Sequence, residues 1–174
     1  MYQKRFYRNE CTGDLYRLTV TVAETDLLIQ SRRRLDPAEV ERTVRRLRLE
    51  VETAIAEDPV FAAGLSAYRR YLHNTPSIVR DMIDASVQCD VGPMAAVAGA
   101  IAEAVAREFA DKAGEIIVEN GGDIFIIRRD EVQRFRIFTG DPVWDRVVFE
   151  ITVHGIPCGI CSSSGRIGHS LSLG

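Results

Sequence analysis

Gly114-Glu115-Ile116-Ile117-Val118-Glu119-Asn120-Gly121-Gly122-Asp123-Ile124-Phe125-Ile126-Ile127 decides the fold of this chain. Two apolar runs rich in β-branched residues flank a short polar and glycine-rich stretch. The runs are continuous rather than alternating, as in central strands covered on both faces. Asn-Gly favours a two-residue hairpin turn, because both turn positions take positive φ. Strands joined so tightly run antiparallel.

Upstream, Pro93 to Ala110 reads Pro-Met-Ala-Ala-Val-Ala-Gly-Ala-Ile-Ala-Glu-Ala-Val-Ala-Arg-Glu-Phe-Ala. A helix of small residues that is apolar almost all round is expected to be buried and closely packed on both sides. Further back, Asp36 is an N-cap with Pro37 at N1 and Glu39 at N3, a capping-box arrangement. Val40, Val44, Leu47, Val51 and Ile55 follow at helical spacing, which predicts an amphipathic helix to about Glu57. Arg42, Arg45, Arg46 and Arg48 alternate with Glu41, Glu50 and Glu52, as on a solvated face laced with i,i+4 pairs. Pro59 predicts a shorter helix through Phe61, Leu65, Tyr68 and Leu72, and Pro76 another through Ile78, Met82 and Ile83. Tyr68 and Tyr71 are read as core knobs rather than an RNA-stacking platform.

At the N-terminus, extended runs from Gln3 to Arg8 and Leu15 to Ala23 surround Thr12-Gly13-Asp14 and predict a hairpin, with Leu27 to Gln30 extending the second strand or adding a third. Arg134 to Phe138 and Val147 to Val153 alternate like outer strands, and His154-Gly155-Ile156-Pro157 turns into a last strand from Cys158 to Cys161. The fold class is therefore α+β, an antiparallel sheet backed by helices. One domain covers 1–174: an N-terminal hairpin (1–35), a helical region (36–88), and the buried helix with sheet and ligand loops (89–174). No closing element follows Gly168, so a further C-terminal segment is expected.

The 174 residues are 46% hydrophobic, enough for a core. A net charge of -3 argues against nucleic-acid binding, which needs a basic excess to neutralise phosphates. No stretch reaches the run of about 18 apolar residues that a membrane helix requires, nor is there a leader-like h-region at the start. A cytoplasmic protein with four reduced cysteines is expected.

Three segments could carry chemistry. Asp90-Val91-Gly92-Pro93 leads into the Ala-rich helix, whose first N–H groups lie at the positive end of its dipole and suit an anion; Gly-Pro also simply starts helices. Asn120-Gly121-Gly122-Asp123 is a hairpin turn, or a nest of main-chain donors flanked by an amide and a carboxylate. Ser162 to Ser170 gathers hydroxyls, Arg166, His169 and two glycines: a surface linker, or phosphate contacts beside a group that moves protons near neutral pH. Cys158-Gly159-Ile160-Cys161 has the spacing of a redox dithiol or half a zinc site, but no second ligand pair is evident, and a strand would point the thiols to opposite faces. Two small buried residues are the expectation.

In this order, Asp90-Val91-Gly92 with the Ala-rich helix, Glu119-Asn120-Gly121-Gly122-Asp123-Ile124, and Ser163-Ser164-Gly165 leading to Gly168-His169-Ser170 resemble the ApbE-like superfamily, most closely its small uncharacterised branch from archaea and anaerobic bacteria. The likeness spans Ile83 to Gly174. It implies a T-fold-like architecture and a magnesium-dependent transferase that moves the FMN half of FAD onto a Thr or Ser of a protein acceptor. By that resemblance Asp90, Gly92, Met94, Ala95, Asn120, Gly121, Gly122, Asp123, Gly165 and Arg166 line a flavin nucleotide site, and Ser163, Ser164 and His169 stand near the chemistry. Ala96 and Val97 occupy positions where the family carries lysine and glycine, and His169-Ser170-Leu171-Ser172 replaces its His-Ile-Ile-Asp-Pro. The magnesium ligands of the family lie beyond its histidine segment, so none is assigned in this chain. Copies of such sheets are expected to assemble through their edges.

Overall fold

The computed structural model describes residues 8, 14–71, 74–129, 131–136 and 147–161. Its main sheet has five antiparallel strands in the order β1-β2-β3-β4-β7: β1 Tyr16–Val22, β2 Thr25–Ser31, β3 Ile116–Asn120, β4 Asp123–Ile127 and β7 Cys158–Ile160. β3 and β4 are joined by the two-residue turn Gly121-Gly122, in register Asn120↔Asp123 and Ile116↔Ile127. All five β3 residues are buried. The continuous apolar run thus forms the sheet's central strand, with β2 on one side and β4 on the other.

Helices α1 Pro37–Glu57, α2 Val60–Ala63, α3 Ser77–Cys89 and α4 Val97–Ala113 back one face of the sheet. A 3-10 turn, Pro93–Ala96, precedes α4. Alternation along the strands sorts the side chains. Leu27, Ile29, Ile116, Val118 and Phe125 face the helices and join Val40, Val44, Leu47, Met82, Ile83, Val105 and Phe109 in the core. On the opposite face, Ile117 and Ile126 meet Val153. β5 Glu131–Arg136 and β6 Val148–Val153 form a separate two-stranded ribbon rather than outer strands of the main sheet.

α1 begins as its sequence predicts, the Asp36 carboxylate accepting from the Ala38 N–H at 3.0 Å. Glu39, however, pairs with Lys112 of α4 instead of closing a capping box. Arg45 with Glu41, Arg46 with Glu50 and Arg48 with Glu52 form the expected i,i+4 pairs. α4 is buried along one face only, through Ile101, Ala102, Val105, Ala106, Phe109 and Ala113. Glu103 and Arg107 pair along its outer side, so it is not enclosed on both sides.

Two further expectations need correction. Leu27 to Gln30 lie in a strand of their own, β2, which pairs with β1 across a turn at Ala23-Glu24, where Ala23 takes φ 51; the expected hairpin partner from Gln3 and its turn at Thr12-Gly13 lie outside the described residues, and Arg8 is in no strand. The helix after Pro59 ends at Ala63, and Leu65 is exposed. Tyr68 is a core residue, packed edge-on to Phe61 at 5.3 Å between ring centroids. Tyr71 is exposed, its hydroxyl donating to Asp84. Leu72 and His73 lie outside the described residues.

Candidate functional site

The β3–β4 turn lies against the start of α4. Gly121 and Gly122 have φ of 68 and 106, so they occupy the two turn positions in place of Asn120-Gly121. This frees Asn120 and Asp123, paired across the hairpin end, to face the start of α4. The Asn120 side-chain amide donates to the Ala98 carbonyl at 3.0 Å. The Asp123 carboxylate lies beside the Gly99 backbone, where a Cβ would stand 3.6 Å from Oδ2. A carboxylate from a neighbouring strand thus sits against the first turn of a helix that has no side-chain cap of its own. Burial, reinforced by Glu119 and opposed by the Gly99 backbone N–H, holds the Asp123 carboxyl above its usual range.

On the other side of the turn, the Gly122 N–H donates to Glu119 Oε1 at 2.9 Å. The nest donor expected to meet a ligand is therefore already engaged. Glu119 Oε2 accepts from Arg8 Nε at 2.6 Å, and Arg8 also bonds the Asp26 carboxylate and carbonyl. Thr21 donates to the same Asp26 oxygen at 3.1 Å. Burial works to lower the Arg8 pKa, but Glu119 and Asp26 together outweigh it and raise it.

The Asp90 segment plays a different part from the one its motif suggested. Asp90 ends α3 in the left-handed conformation, its N–H bonded to the Ser86 carbonyl, and its side chain is exposed. Ser86 donates to the Val91 carbonyl at 2.7 Å and accepts from the Tyr68 N–H at 2.9 Å. Gly92 is buried, and a Cβ there would lie 1.8 Å from the Gly64 carbonyl oxygen. Its missing side chain makes room for the chain at Gly64. Met94 is half-buried and Ala95 exposed at the approach to α4.

β7 reaches the same end of the sheet. The register Ile124↔Ile160 carries Cys161 alongside Asp123. Desolvation, then Asp123 and Cys89, push the Cys161 thiol upward, the reverse of what a thiolate nucleophile requires. Cys158 is half-buried and Cys161 exposed, so the two are not the buried pair expected. Ser163, Ser164, Gly165, Arg166 and His169 lie outside the described residues, as does Cys11. Among the described residues no three His, Cys, Asp or Glu side chains are grouped to hold a metal. A small cavity with room for about 10 Å³ lies elsewhere, lined by Phe61, Tyr68, Thr75, Val79 and Ile83.

Against known proteins, a family model described as "AbpE bacteria" matches residues 8–174. The chain belongs to this family. Its curated relatives include UPF0280 proteins of Methanopyrus kandleri, 36% identical over 161 residues (92% of this chain, 64% of the relative), and Methanobrevibacter smithii, 37% identical over 137 residues (78% and 57%). A third, from Methanothrix thermoacetophila, is 44% identical over 131 residues (73% and 54%). The chain spans a little over half to about two thirds of the length of these family members. Among the described residues no single helix is long and apolar enough to cross a membrane.

Of the residues the resemblance singles out, the structure joins Asn120, Gly121, Gly122 and Asp123 to the start of α4 and leaves Asp90 and Gly92 as a helix end and a packing contact. Sequence reading missed Arg8 and Asp26 and left Glu119 outside the site. The available signal was polarity in strands: Asp26 precedes the apolar run Leu27-Leu28-Ile29, and Glu119 follows Ile116-Ile117-Val118. A carboxylate in a buried strand demands a partner.

Proposed function

We propose that this chain forms part of an ApbE-like protein that binds a flavin or similar nucleotide at the sheet end where the β3–β4 turn, the start of α4 and the end of β7 converge. The carrying observation is the bond from Asn120 to the Ala98 carbonyl, with Asp123 set beside Gly99, which ties the turn to the helix beside the strand that leads into Ser162 to Gly174. Transfer of FMN from FAD to a protein hydroxyl is the most concrete activity. FAD would supply the phosphoryl group: its P–O–P bond breaks, a phosphoester forms to the acceptor oxygen, and AMP leaves. His169 would take the acceptor proton, and Ser163, Ser164 and Arg166 would steady the phosphates. Magnesium has no ligand set among the described residues, and no step is routed through it.

A second reading, a ligand-binding or assembly domain without transfer chemistry, is favoured by one observation. The Gly122 N–H is already satisfied within the protein by Glu119. Incubating the full-length protein with FAD and magnesium, and following FMN transfer to a Ser- or Thr-containing acceptor by covalent flavin fluorescence, tests the first reading. Tight FAD binding without transfer would establish the second.

A further inference from the structure

The Gly121-Gly122 turn has no side chain of its own to hold it. Around a Cβ built on Gly122 no heavy atom of the described residues lies within 4 Å. Among the described residues Glu119 supplies the restraint on this glycine, through Oε1 on the Gly122 N–H. That restraint depends on where the Glu119 carboxylate points. Its other oxygen is held by Arg8, 111 residues away in sequence, at 2.6 Å.

Arg8 is itself fixed. Its Nη1 and Nη2 donate to the Asp26 carboxylate at 3.0 Å and carbonyl at 2.7 Å, so the guanidinium is clamped on β2 while Nε reaches β3. The side chains of Arg8, Asp26 and Glu119 are 11%, 3% and 9% exposed. A planar fork can serve two acceptors on adjacent strands at fixed angles, which an ammonium cannot. Two carboxylates buried this closely also need a cation between them.

We infer that Arg8 is a positioning residue for the Gly121-Gly122 turn, acting through Glu119, and thereby for the ligand of that turn; the ligand part rests on the flavin reading above. The chain of contacts Asp26–Arg8–Glu119–Gly122 runs to the turn, so Arg8 belongs to the site.

The test uses full-length protein carrying Arg8→Lys, Arg8→Met, Glu119→Ala and the Arg8→Lys/Glu119→Ala double variant. Two quantities are read: amide hydrogen exchange at Gly122, with Val44 and Leu47 of α1 as internal reference, and FAD affinity by fluorescence quenching. Arg8→Met and Glu119→Ala are each expected to speed Gly122 exchange roughly tenfold, the worth of one hydrogen bond, with α1 unchanged. If Arg8→Met does not fold, Arg8→Lys carries the test with a smaller increase of the same kind. The double variant should match Glu119→Ala alone, because Arg8 acts through Glu119. Unchanged Gly122 exchange, acceleration shared by α1, or additive effects would each overturn the positioning role. If the unmodified protein fails to bind FAD, the flavin reading falls, and the exchange data still decide the role of Arg8.

Discussion

Gly92→Ala separates a packing glycine from a ligand-facing one. Gly92 has φ -67 and ψ 149, a conformation alanine adopts freely, so backbone strain does not enter. The added methyl would lie 1.8 Å from the Gly64 carbonyl oxygen, 2.8 Å from its carbonyl carbon and 3.3 Å from the Leu65 Cα. All three are backbone atoms, so no rotamer change relieves the overlap. Restoring normal contact requires the chain at Gly64 to retreat by roughly 1.5 Å from the turn that leads into α4. Overpacking costs about 1–3 kcal/mol, and a clash confined to backbone belongs at the upper end. For a chain of this size about 3 kcal/mol lowers Tm by roughly 6–12 °C. Thermal unfolding followed by far-UV circular dichroism, with urea titration alongside, measures the loss. A wild-type Tm combined with weakened FAD binding would refute the packing account and return Gly92 to the ligand.

Gly99→Ala should do the opposite. Its Cβ would meet Asp123 Oδ2 at 3.6 Å, an ordinary contact, and alanine in a helix is favoured by about 0.5–1 kcal/mol, so the urea midpoint should rise. Asp36→Ala removes the acceptor for the Ala38 N–H and should cost about 1 kcal/mol in the same assay. Asp123→Asn tests the elevated carboxyl. With its folded pKa raised above the unfolded value, Asp123 contributes most favourably below the unfolded pKa, and its contribution declines as pH rises through the folded one. Asparagine keeps an acceptor for Gly99 and removes that decline, so the variant should show a flatter stability-versus-pH curve there and greater stability at pH 7. A wild-type slope would refute the assignment.

Most of the architecture was legible because periodicity reports burial directly. The continuous runs at 116–118 and 124–127 are β3 and β4, and the 3.6-residue spacing from Val40 to Val51 is the buried face of α1. The failures have a shared cause. Glu39 and Gly92 each carry a local signature that tertiary partners override: Lys112 takes the would-be capping carboxylate and Gly64 fills the space beside Gly92, while the Gly122 nest donor goes to Glu119 only three residues back. Local pattern states what a residue can do, whereas a partner far along the chain decides what it does. The same reasoning explains why Arg8 escaped notice, since its meaning depends on Asp26 and on Glu119, two strands that sequence order keeps far apart.

The β3–β4 hairpin tip is fastened on both sides of the sheet at once, to α4 through Asn120 and Asp123 and to the N-terminal segment through Glu119. Neighbouring residues in a strand point to opposite faces, so the tip behaves as a short lever: tilting it toward one anchor strains the other. Whatever displaces Asp123 from the helix start is thereby felt at Arg8. A substitution at Arg8 is therefore expected to register on the helix-facing side of the sheet as well as at its own partners.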